Sequence, residues 1–265
     1  MTTAATHPRD HAPAASREEH LEALGRLLAL RRREDGPPVD DAVIARAVQG
    51  RLEELHPADV AYVLEGLPVE DRLWVWGLVR SGRDGEILLE VSDAVRDTLL
   101  ADMDNAEIVA AAQELDADEI ADLAPDLPRE VVQDIIESQG VTDRAQLQTA
   151  LSYPEGTVGS LMDFEVVGIR EEATCEEALQ QLRHYDELPP QTDALFLLDR
   201  DGRLKGALAL NKLLVNNPDV PIAGLREPEV VSFSPESDAD EAAPAFERYK
   251  MVCAPVVDEI GRAHV

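Results

Sequence analysis

Carboxylates are the side chains with which this chain is best equipped to do chemistry. Asp and Glu together number 54 against 24 Lys and Arg, which gives a net charge of −30 over 265 residues. Such an excess attracts cations and repels nucleic acids and anionic membrane surfaces. We therefore expect a cation as ligand and no binding to nucleic acid. A solvated acidic surface that serves only solubility explains many of the same acids equally well.

The sequence holds no pattern that is typical of an enzyme. It lacks a glycine-rich phosphate loop, an HExxH zinc motif and a Ser-His-Asp or Cys-His arrangement at a recognisable spacing. Cys175 and Cys253 are far apart, which suits a reducing compartment and neither a disulfide framework nor a zinc site. The longest apolar run, residues 73–79, is far short of the roughly 20 residues that span a bilayer. We expect a binding or regulatory protein without catalytic residues.

The first half of the chain has a hydrophobic period of twelve residues. Apolar residues recur at positions 55, 67, 79, 91, 103, 115 and 127, and helix-breaking or helix-capping residues follow each of them. Helices of about nine residues are unstable alone in water, but stacked pairs bury one continuous core. The period predicts an α-superhelix over residues 19–150, preceded by a disordered segment at residues 1–18.

The second half contains a motif that occurs twice. Residues 167–179 and 231–243 each open with a short apolar run and continue into an acidic helix start. Each then reaches a predicted strand–turn–strand, at residues 195–203 and 254–262. Two such units pack as a pseudo-symmetric pair with a crevice between them.

The domain boundaries follow from these two patterns. A linker at residues 151–166 separates the superhelix from the first motif, at about 167–225, and the second motif, at about 226–265. The second motif is incomplete, because the sequence stops before its second strand is finished. An unfinished strand leaves a sheet without its partner hydrogen bonds, so we expect the chain to be a fragment of a longer protein. The predicted fold class is a multidomain α+β protein.

The linker carries a more specific pattern, Tyr-x-x-x-Thr-x-Gly-x-Leu-Met, at residues 153–162. Residues 55–59 before it, and residues 203–206 and 255–258 after it, follow in a matching order. Together they resemble the cytosolic region of the MgtE family of magnesium channels, in which a helical N domain is linked to a pair of CBS domains. The resemblance covers roughly residues 50–265.

The resemblance implies a regulatory function. MgtE channels are homodimers in the bacterial inner membrane, and their pore lies in a C-terminal membrane domain. Their cytosolic domains bind Mg²⁺ and hold the pore closed when Mg²⁺ is plentiful. The chain is then expected to be a Mg²⁺-sensing region on the cytoplasmic side of the membrane. Its expected partners are a second copy of itself and its own membrane domain.

The resemblance also implies candidate metal ligands. By position, the sensor acids of the N domain fall on Glu86 and Asp118, and Asp122, one helical turn later, is a further candidate. In the CBS half the matching acids are Asp238 and Asp240. Mg²⁺ prefers oxygen ligands and keeps several waters, so sparse carboxylates that face across a cleft are suitable. Helix capping or simple solvation explains each of these acids without a metal.

Three positions depart from the family pattern. Ala194 stands where the family has an aromatic residue that would stack on an adenine base. Asn211-Lys212 stands where the family has an Arg-Asp pair that contributes to nucleotide binding. Lys250 replaces an acid of the second CBS motif, which would weaken a cation site there. We therefore expect weak or absent ATP binding.

Two other functions stay open at this point. One is a protein-interaction scaffold, since flagellar motor switch proteins use short-helix superhelices similar to the MgtE N domain. The other is a CBS sensor of adenine nucleotides, against which the departures at Ala194 and Asn211-Lys212 count. Membrane-spanning segments in the full reading frame would favour the channel regulator over both.

Overall fold

A computed structural model gives the positions of most of the chain. It describes residues 17–32, 40–186, 188–189, 192–227 and 229–263. Residues 1–16, which belong to the segment predicted to be disordered, lie outside the described residues. The chain divides into two compact units, Met1–Leu115 and Asp116–Val265. None of the described helices is both long enough and apolar enough to cross a membrane.

Short helices fill the first unit and begin the second. Within the described residues they are α1 (Arg17–Arg31), α2 (Asp41–Glu53), α3 (Pro57–Glu65), α4 (Val69–Trp76), α5 (Asp84–Glu90), α6 (Asp93–Leu100), α7 (Asn105–Ala112), α8 (Ala117–Leu123), α9 (Arg129–Ser138) and α10 (Val141–Ala150). Side chains cap the starts of α2, α3, α7 and α8. Asp104 and Glu107 form a capping box on α7, and the His56 ring accepts a hydrogen bond from the backbone N–H of Ala58.

Successive helices of the first unit alternate between two layers. Helix α3 contacts α1 and α5, and α5 contacts α7, whereas α4 contacts α6. This alternation is typical of an α-superhelix. Of the residues in the twelve-residue series, Leu55, Leu67, Val91, Leu115 and Leu127 are buried. The predicted period therefore marks the core positions of the superhelix.

Arginine side chains satisfy carbonyl groups where these short helices end. The last four carbonyls of a helix have no partner within it. Arg72, on α4, donates to the carbonyl oxygens of Leu64 at 2.9 Å and Leu67 at 3.0 Å, at the end of α3. Arg96, on α6, donates to the carbonyl oxygen of Leu88 in α5 at 2.8 Å. Each arginine thus joins the two helices of a pair.

The same arrangement recurs in the second unit. Arg144, on α10, donates to the carbonyl oxygens of Glu137 at 2.8 Å and Gln139 at 3.0 Å, at the end of α9. Positions 72, 96 and 144 are separated by multiples of the twelve-residue period. A spacing of 24 residues, two periods, would place a further arginine at position 120. That position holds Ile120, a buried residue of α8. The helix that lacks the arginine is the one that carries Asp118.

A small sheet and three helices form the rest of the second unit. In chain order they are β1 (Gly168–Arg170), α11 (Cys175–Leu182), β2 (Ala194–Leu198), β3 (Leu204–Ala209), α12 (Leu210–Val215) and α13 (Ala239–Tyr249). Strand β2 lies in the middle, parallel to β1 and antiparallel to β3. Ile169, Leu195, Leu197 and Leu208 of the sheet pack with Cys175 in the core of the first motif.

The second motif differs from its expected form. The apolar runs that were predicted to be strands pair only through isolated bridges, of which Phe233 with Val256 is one. The backbone N–H of Phe233 donates to the carbonyl of Pro255 at 3.1 Å, and the N–H of Val257 donates to the carbonyl of Phe233 at 2.9 Å. Pro255 has no N–H to contribute to a longer ladder. The pairing is therefore parallel, as in the first motif, but shorter.

The two motifs share one turn geometry. Asp199 and Asp258 each accept hydrogen bonds from the backbone N–H groups two and four residues later, at 2.8–3.0 Å. Gly202 and Gly261 follow three residues after these acids, with φ of 79° and 80°, a conformation that favours glycine. The duplication seen in the sequence is thus a structural repeat.

The arginine that joins α5 and α6 gives a first test. Arg96→Met leaves the carbonyl oxygen of Leu88 buried with one hydrogen bond fewer. We expect the free energy of unfolding to fall by about 1–3 kcal/mol. Both tryptophans of the chain, Trp74 and Trp76, lie in the first unit, so the fluorescence change in urea reports on that unit. Arg46→Met, at an exposed position of α2 in the same unit, is the control, and an equal midpoint for both variants would contradict the assigned role.

Candidate functional site: a group of carboxylates around α8

The linker motif is held by backbone contacts to the second motif. A Cβ atom on Gly159 would lie 2.5 Å from Cγ of Tyr153, so the tyrosine ring leaves room only for glycine. The backbone N–H groups of Val158 and Gly159 donate to the carbonyl oxygens of Ser237 and Pro235, both at 2.8 Å. The spacing of Tyr and Gly in the motif therefore has a packing reason. This packing, together with the two hydrogen bonds, fixes the position of the residues that directly follow Gly159.

Those residues include acids that contribute to a group around α8. We define the α8 acid group by its six members: Asp116, Asp118, Glu119, Asp143, Asp163 and Glu165. Helix α8 packs against α10 and against the short 3₁₀ helix Val158–Ser160. Acids from the helix, from its partner helix and from the linker are thereby concentrated in one region of the second unit.

Asp118 has the most perturbed carboxyl of the group. Burial raises its pKa from an ordinary value of 3.8 to about 6, and the negative charges of Asp163, Glu119 and Asp116 add to the rise. A raised pKa means that the ionised carboxylate is disfavoured where it lies. At neutral pH this charge is present at a cost, and a cation would relieve it.

Two further members of the α8 acid group show the same effect. Burial raises the pKa of Asp116, with added repulsion from Asp163 and Asp143. Burial also raises the pKa of Glu165, next to Asp116 and Asp163. None of the ion pairs found among the described residues includes Asp116, Asp118 or Glu165.

Helix capping accounts for part of this group. The backbone N–H of Asp116 donates to a Glu119 carboxylate oxygen at 3.0 Å, as in a capping box at the start of α8. Asp118 lies one residue inside the helix and is not its cap. The capping explanation therefore suffices for Asp116 and Glu119 but leaves Asp118 available to a ligand.

The other predicted ligands lie elsewhere. Glu86 is exposed in the first turn of α5, in the first unit, and Asp122 is on the exposed face of α8. Asp238 caps α13 by accepting a hydrogen bond from the N–H of Asp240 at 2.8 Å, and both acids are exposed. Among the described residues no three His, Cys, Asp or Glu side chains form a ready-made metal site.

Sequence reasoning missed an acid beside Glu86. Burial raises the pKa of Asp84 to about 6, and the nearby charge of Glu107 adds to the shift. A Cβ on Gly85 would lie 2.6 Å from the carbonyl oxygen of Ala111, so α5 lies very close to α7 at this point. The Asp-Gly-Glu sequence was a possible signal, because glycine permits the close approach that buries its neighbour.

Sequence reasoning also missed Asp163 and Glu165. Their position near α8 depends on how the linker folds, which no local pattern determines. The one hint in the sequence is that these two acids directly follow the motif that is predicted to join two domains.

A cleft lies between the two motifs, as the sequence predicted. Its volume is about 510 Å³, and Ala194, the position of the missing aromatic residue, is on its wall. Lys212, at the position of the missing Arg-Asp pair, forms an ion pair with Glu227 at 2.8 Å. The two departures from the nucleotide-binding pattern are thus real features of the folded chain.

A short-helix superhelix, a pinned linker and a repeated α/β motif around a cleft define one architecture, a helical N domain joined to CBS motifs. Comparisons with known sequences agree. A sequence model of the MgtE intracellular N domain matches residues 55–156, and one of the CBS domain matches residues 158–215.

Two relatives carry the name magnesium transporter MgtE. The one from Thermus thermophilus is 30% identical over 223 residues, which are 82% of this chain and 49% of the relative. The one from Bacillus subtilis is 22% identical over 208 residues, 78% of this chain and 46% of the relative. The chain thus spans about half the length of the curated relatives it matches.

Solved structures complete the comparison. The cytosolic domain of the Mg²⁺ channel MgtE in complex with ATP is 30% identical, with a TM-score of 0.72 over 82% of this chain and 89% of that one. The soluble part of a magnesium transporter has the same fold, with a TM-score of 0.72, 18% identity and coverage of 94% and 93%. The chain belongs to the MgtE family. The predicted fold class, a helical N domain followed by CBS motifs, is confirmed.

The raised pKa of Asp118 predicts how stability depends on pH. The folded state holds this proton more tightly than the unfolded chain, so the carboxyl stabilises the fold below about pH 4. That contribution is lost as pH rises through about 6. Asp118→Asn removes the ionisation, and we expect the variant to melt about 2–4 °C higher than the wild type at pH 7.5 in EDTA. The two should melt alike near pH 4.

Scanning calorimetry between pH 4 and pH 7.5 measures this difference. Asp122→Asn, an exposed position on the same helix, is the control and should follow the wild type at every pH. If Asp118→Asn also follows the wild type throughout, the carboxyl of Asp118 is not disfavoured in the fold.

Proposed function

We propose that this chain is the cytosolic Mg²⁺-sensing region of a magnesium transporter or channel. Its domains bind Mg²⁺ on the cytoplasmic side of the inner membrane and regulate a pore that a C-terminal membrane domain forms. That membrane domain and a second copy of the chain are the partners in this proposal. Membership of the MgtE family provides the context, and the α8 acid group is the observation that carries the proposal.

Holding the α8 acid group together costs electrostatic free energy. Carboxylates that are partly buried beside one another repel, and the elevated pKa of Asp118 reflects that cost. A divalent cation that binds among them lowers the free energy of the arrangement in which they are close. Mg²⁺ concentration then controls how stable that arrangement is, which is the requirement for a sensor.

The donor set fits Mg²⁺ in particular. All members of the group offer carboxylate oxygens, the hard ligands that this ion prefers. Mg²⁺ commonly keeps several of its waters and is held by one or two carboxylates directly. In this proposal Asp118 is the direct ligand, because its carboxyl is the most perturbed of the group, and Asp163 and Glu165 contact the coordinated waters. Glu86, Asp122, Asp238 and Asp240 remain candidates for further sites.

A nucleotide sensor is less well supported. The related cytosolic domain was solved with ATP, but here the cleft wall has Ala194 in place of an aromatic residue. Lys212 is engaged with Glu227, so its charge is partly neutralised. Loss of a stacking partner typically costs about 1–3 kcal/mol per base. The geometry favours a cation sensor over an ATP sensor.

Mg²⁺ should stabilise the protein through these acids. At 20 mM MgCl₂ and pH 7.5 we expect the melting temperature to rise by at least about 3 °C relative to EDTA at matched ionic strength. The double variant Glu86→Gln with Asp118→Asn should lose most of that rise, since its carboxylates no longer repel or ligate.

A matched control separates specific binding from loss of surface charge. Asp97→Asn with Glu130→Gln also removes one exposed acid from each unit and should keep the full response. A wild-type melting temperature that is the same in Mg²⁺ and EDTA would sink the sensor proposal. A response shared by both double variants would limit it to nonspecific screening.

The proposed homodimer has a candidate surface on α12. Leu214 and Val215 are 64% and 82% exposed on this six-residue helix. Replacing both with Glu should shift the sedimentation coefficient of a dimer to that of a monomer, because charges would be buried at the interface. Val141→Glu, at another highly exposed valine, should leave the dimer intact. A dimer that survives the double replacement uses another surface.

A further inference from the structure

The 3₁₀ helix Val158–Ser160 is covered tightly at its middle residue. Gly159 is buried, and the Tyr153 ring lies over it, with Cγ, Cδ1 and Cδ2 at 2.5–2.7 Å from the place that a Cβ atom would occupy. The φ angle of Gly159 is not in the left-handed region, so its backbone conformation suits residues other than glycine. The tyrosine ring, and not the backbone conformation, therefore excludes a side chain at this position.

The Tyr153 ring cannot make room by a small movement. Its Cγ is the ring atom nearest to the backbone, so the backbone and χ1 set its position, and χ1 has discrete staggered minima. Carbon atoms in ordinary contact are about 3.5–4.0 Å apart, so a Cβ atom at position 159 and the ring must separate by about 1 Å. Either the ring leaves its rotamer or the 3₁₀ helix moves.

Other contacts oppose a movement of the 3₁₀ helix. It packs against α8, and the N–H groups of Val158 and Gly159 donate to carbonyl oxygens of the second motif. The N–H of Ala239, at the start of α13, donates to the carbonyl oxygen of Gly156 at 2.9 Å. A movement away from the tyrosine ring therefore changes the packing on α8 or weakens bonds to the second motif.

Asp163 and Glu165 follow the 3₁₀ helix closely. The N–H of Leu161 donates to the carbonyl oxygen of Val158 at 3.2 Å, and Met162 is buried, so the chain leaves the helix along a fixed path. The N–H of Glu165 donates to a carboxylate oxygen of Asp163 at 2.6 Å, which orients the two acids relative to each other. Their place beside α8 is thus set by the position of the 3₁₀ helix.

We propose that the contact between Tyr153 and Gly159 positions Asp163 and Glu165 for cation binding in the α8 acid group. This inference rests on the proposed Mg²⁺ site. Mg²⁺ requires nearly octahedral oxygen ligands at about 2.0–2.1 Å, so carboxylates displaced by about 1 Å no longer contact the ion and its waters together. Tyr153 and Gly159 do not contact the ion; they are positioning residues that determine its affinity.

Isothermal titration calorimetry of the 265-residue chain with MgCl₂, at pH 7.5 and constant ionic strength, measures this affinity. The relevant signal is the binding component that Asp118→Asn removes, because other acids of the surface bind Mg²⁺ weakly. Gly159→Ala should weaken this component by at least about tenfold, the usual effect of losing a group that orients metal ligands.

A second variant separates positioning from a purely structural role. Tyr153→Ala alone leaves the 3₁₀ helix less restrained and should weaken Mg²⁺ binding, but by less than Gly159→Ala does. Combined with Gly159→Ala it makes room for the Cβ atom, so the double variant should bind Mg²⁺ more tightly than Gly159→Ala alone. If the contact only stabilised the fold, all three variants, once shown to be folded by circular dichroism, would keep the wild-type affinity.

Gly224→Ala is the matched control. Gly224 belongs to another 3₁₀ helix of the second unit, Ile222–Gly224, but it is exposed, and nothing beyond its chain neighbours lies within 4 Å of its Cβ position. The same substitution therefore meets no ring there and should leave Mg²⁺ binding as in the wild type.

The outcomes distinguish this inference from the proposed function. A wild-type titration without a component that Asp118→Asn removes would contradict the Mg²⁺ site, and the positioning role with it. If that component is present and Gly159→Ala keeps the wild-type affinity, the site stands and the positioning role is wrong. If Gly159→Ala does not fold, Tyr153→Ala is the test, and wild-type affinity in that variant overturns the inference.

Discussion

The superhelix depends on hydrogen bonds from arginine to the carbonyls at helix ends. In helices of seven to ten residues, such as α5, α8 and α10, a large share of the backbone N–H and C=O groups lies in the end turns and has no hydrogen-bond partner within the helix. A guanidinium offers five donors in a planar array, so one side chain serves two carbonyls. Arg72, Arg96 and Arg144 do this between paired helices. Without these contacts the short helices would bury unsatisfied carbonyl groups.

This use of arginine bears on the charge of the molecule. Arg72, Arg96 and Arg144 belong to a small set of 24 bases among 54 acids, and they direct hydrogen bonds to neutral carbonyl groups. At the position of Ile120 the arginine is absent, and the helix that carries this residue also carries Asp118, whose pKa burial raises to about 6.

The fold was more predictable than the site. Leu55, Leu67 and Leu115 repeat at a local spacing, and local patterns determine where short helices begin and end. The turns after Asp199 and Asp258 were likewise visible, because glycine at a fixed offset has a conformational cause. The predicted strands of the second motif were too long, since a proline within the run limits a ladder in a way that hydrophobicity does not show.

The candidate site could be predicted only in part. Asp118 was found through the family resemblance, but the grouping with Asp163 and Glu165 depends on how the linker packs. Burial sets these pKa values, and burial is a property of the folded chain. Asp84 was missed because its burial depends on the close approach of α5 to α7 at Gly85, and the Asp-Gly-Glu sequence permits that approach without specifying it. The roles of Asp118, Glu86, Asp122, Asp238 and Asp240 as metal ligands stay predictions.

The pinned linker has a consequence for the order of folding. Val158 and Gly159 bond to carbonyls of Ser237 and Pro235, far along the chain, so these contacts close a long loop. The closure costs entropy that local helix pairs do not pay. During synthesis the helices of the first unit are complete long before residue 235 leaves the ribosome. In the nascent protein the helices of the superhelix are therefore folded before the linker can bond to residues 235–237. A chaperone would bind the nascent chain in that interval, while the linker is still unpaired.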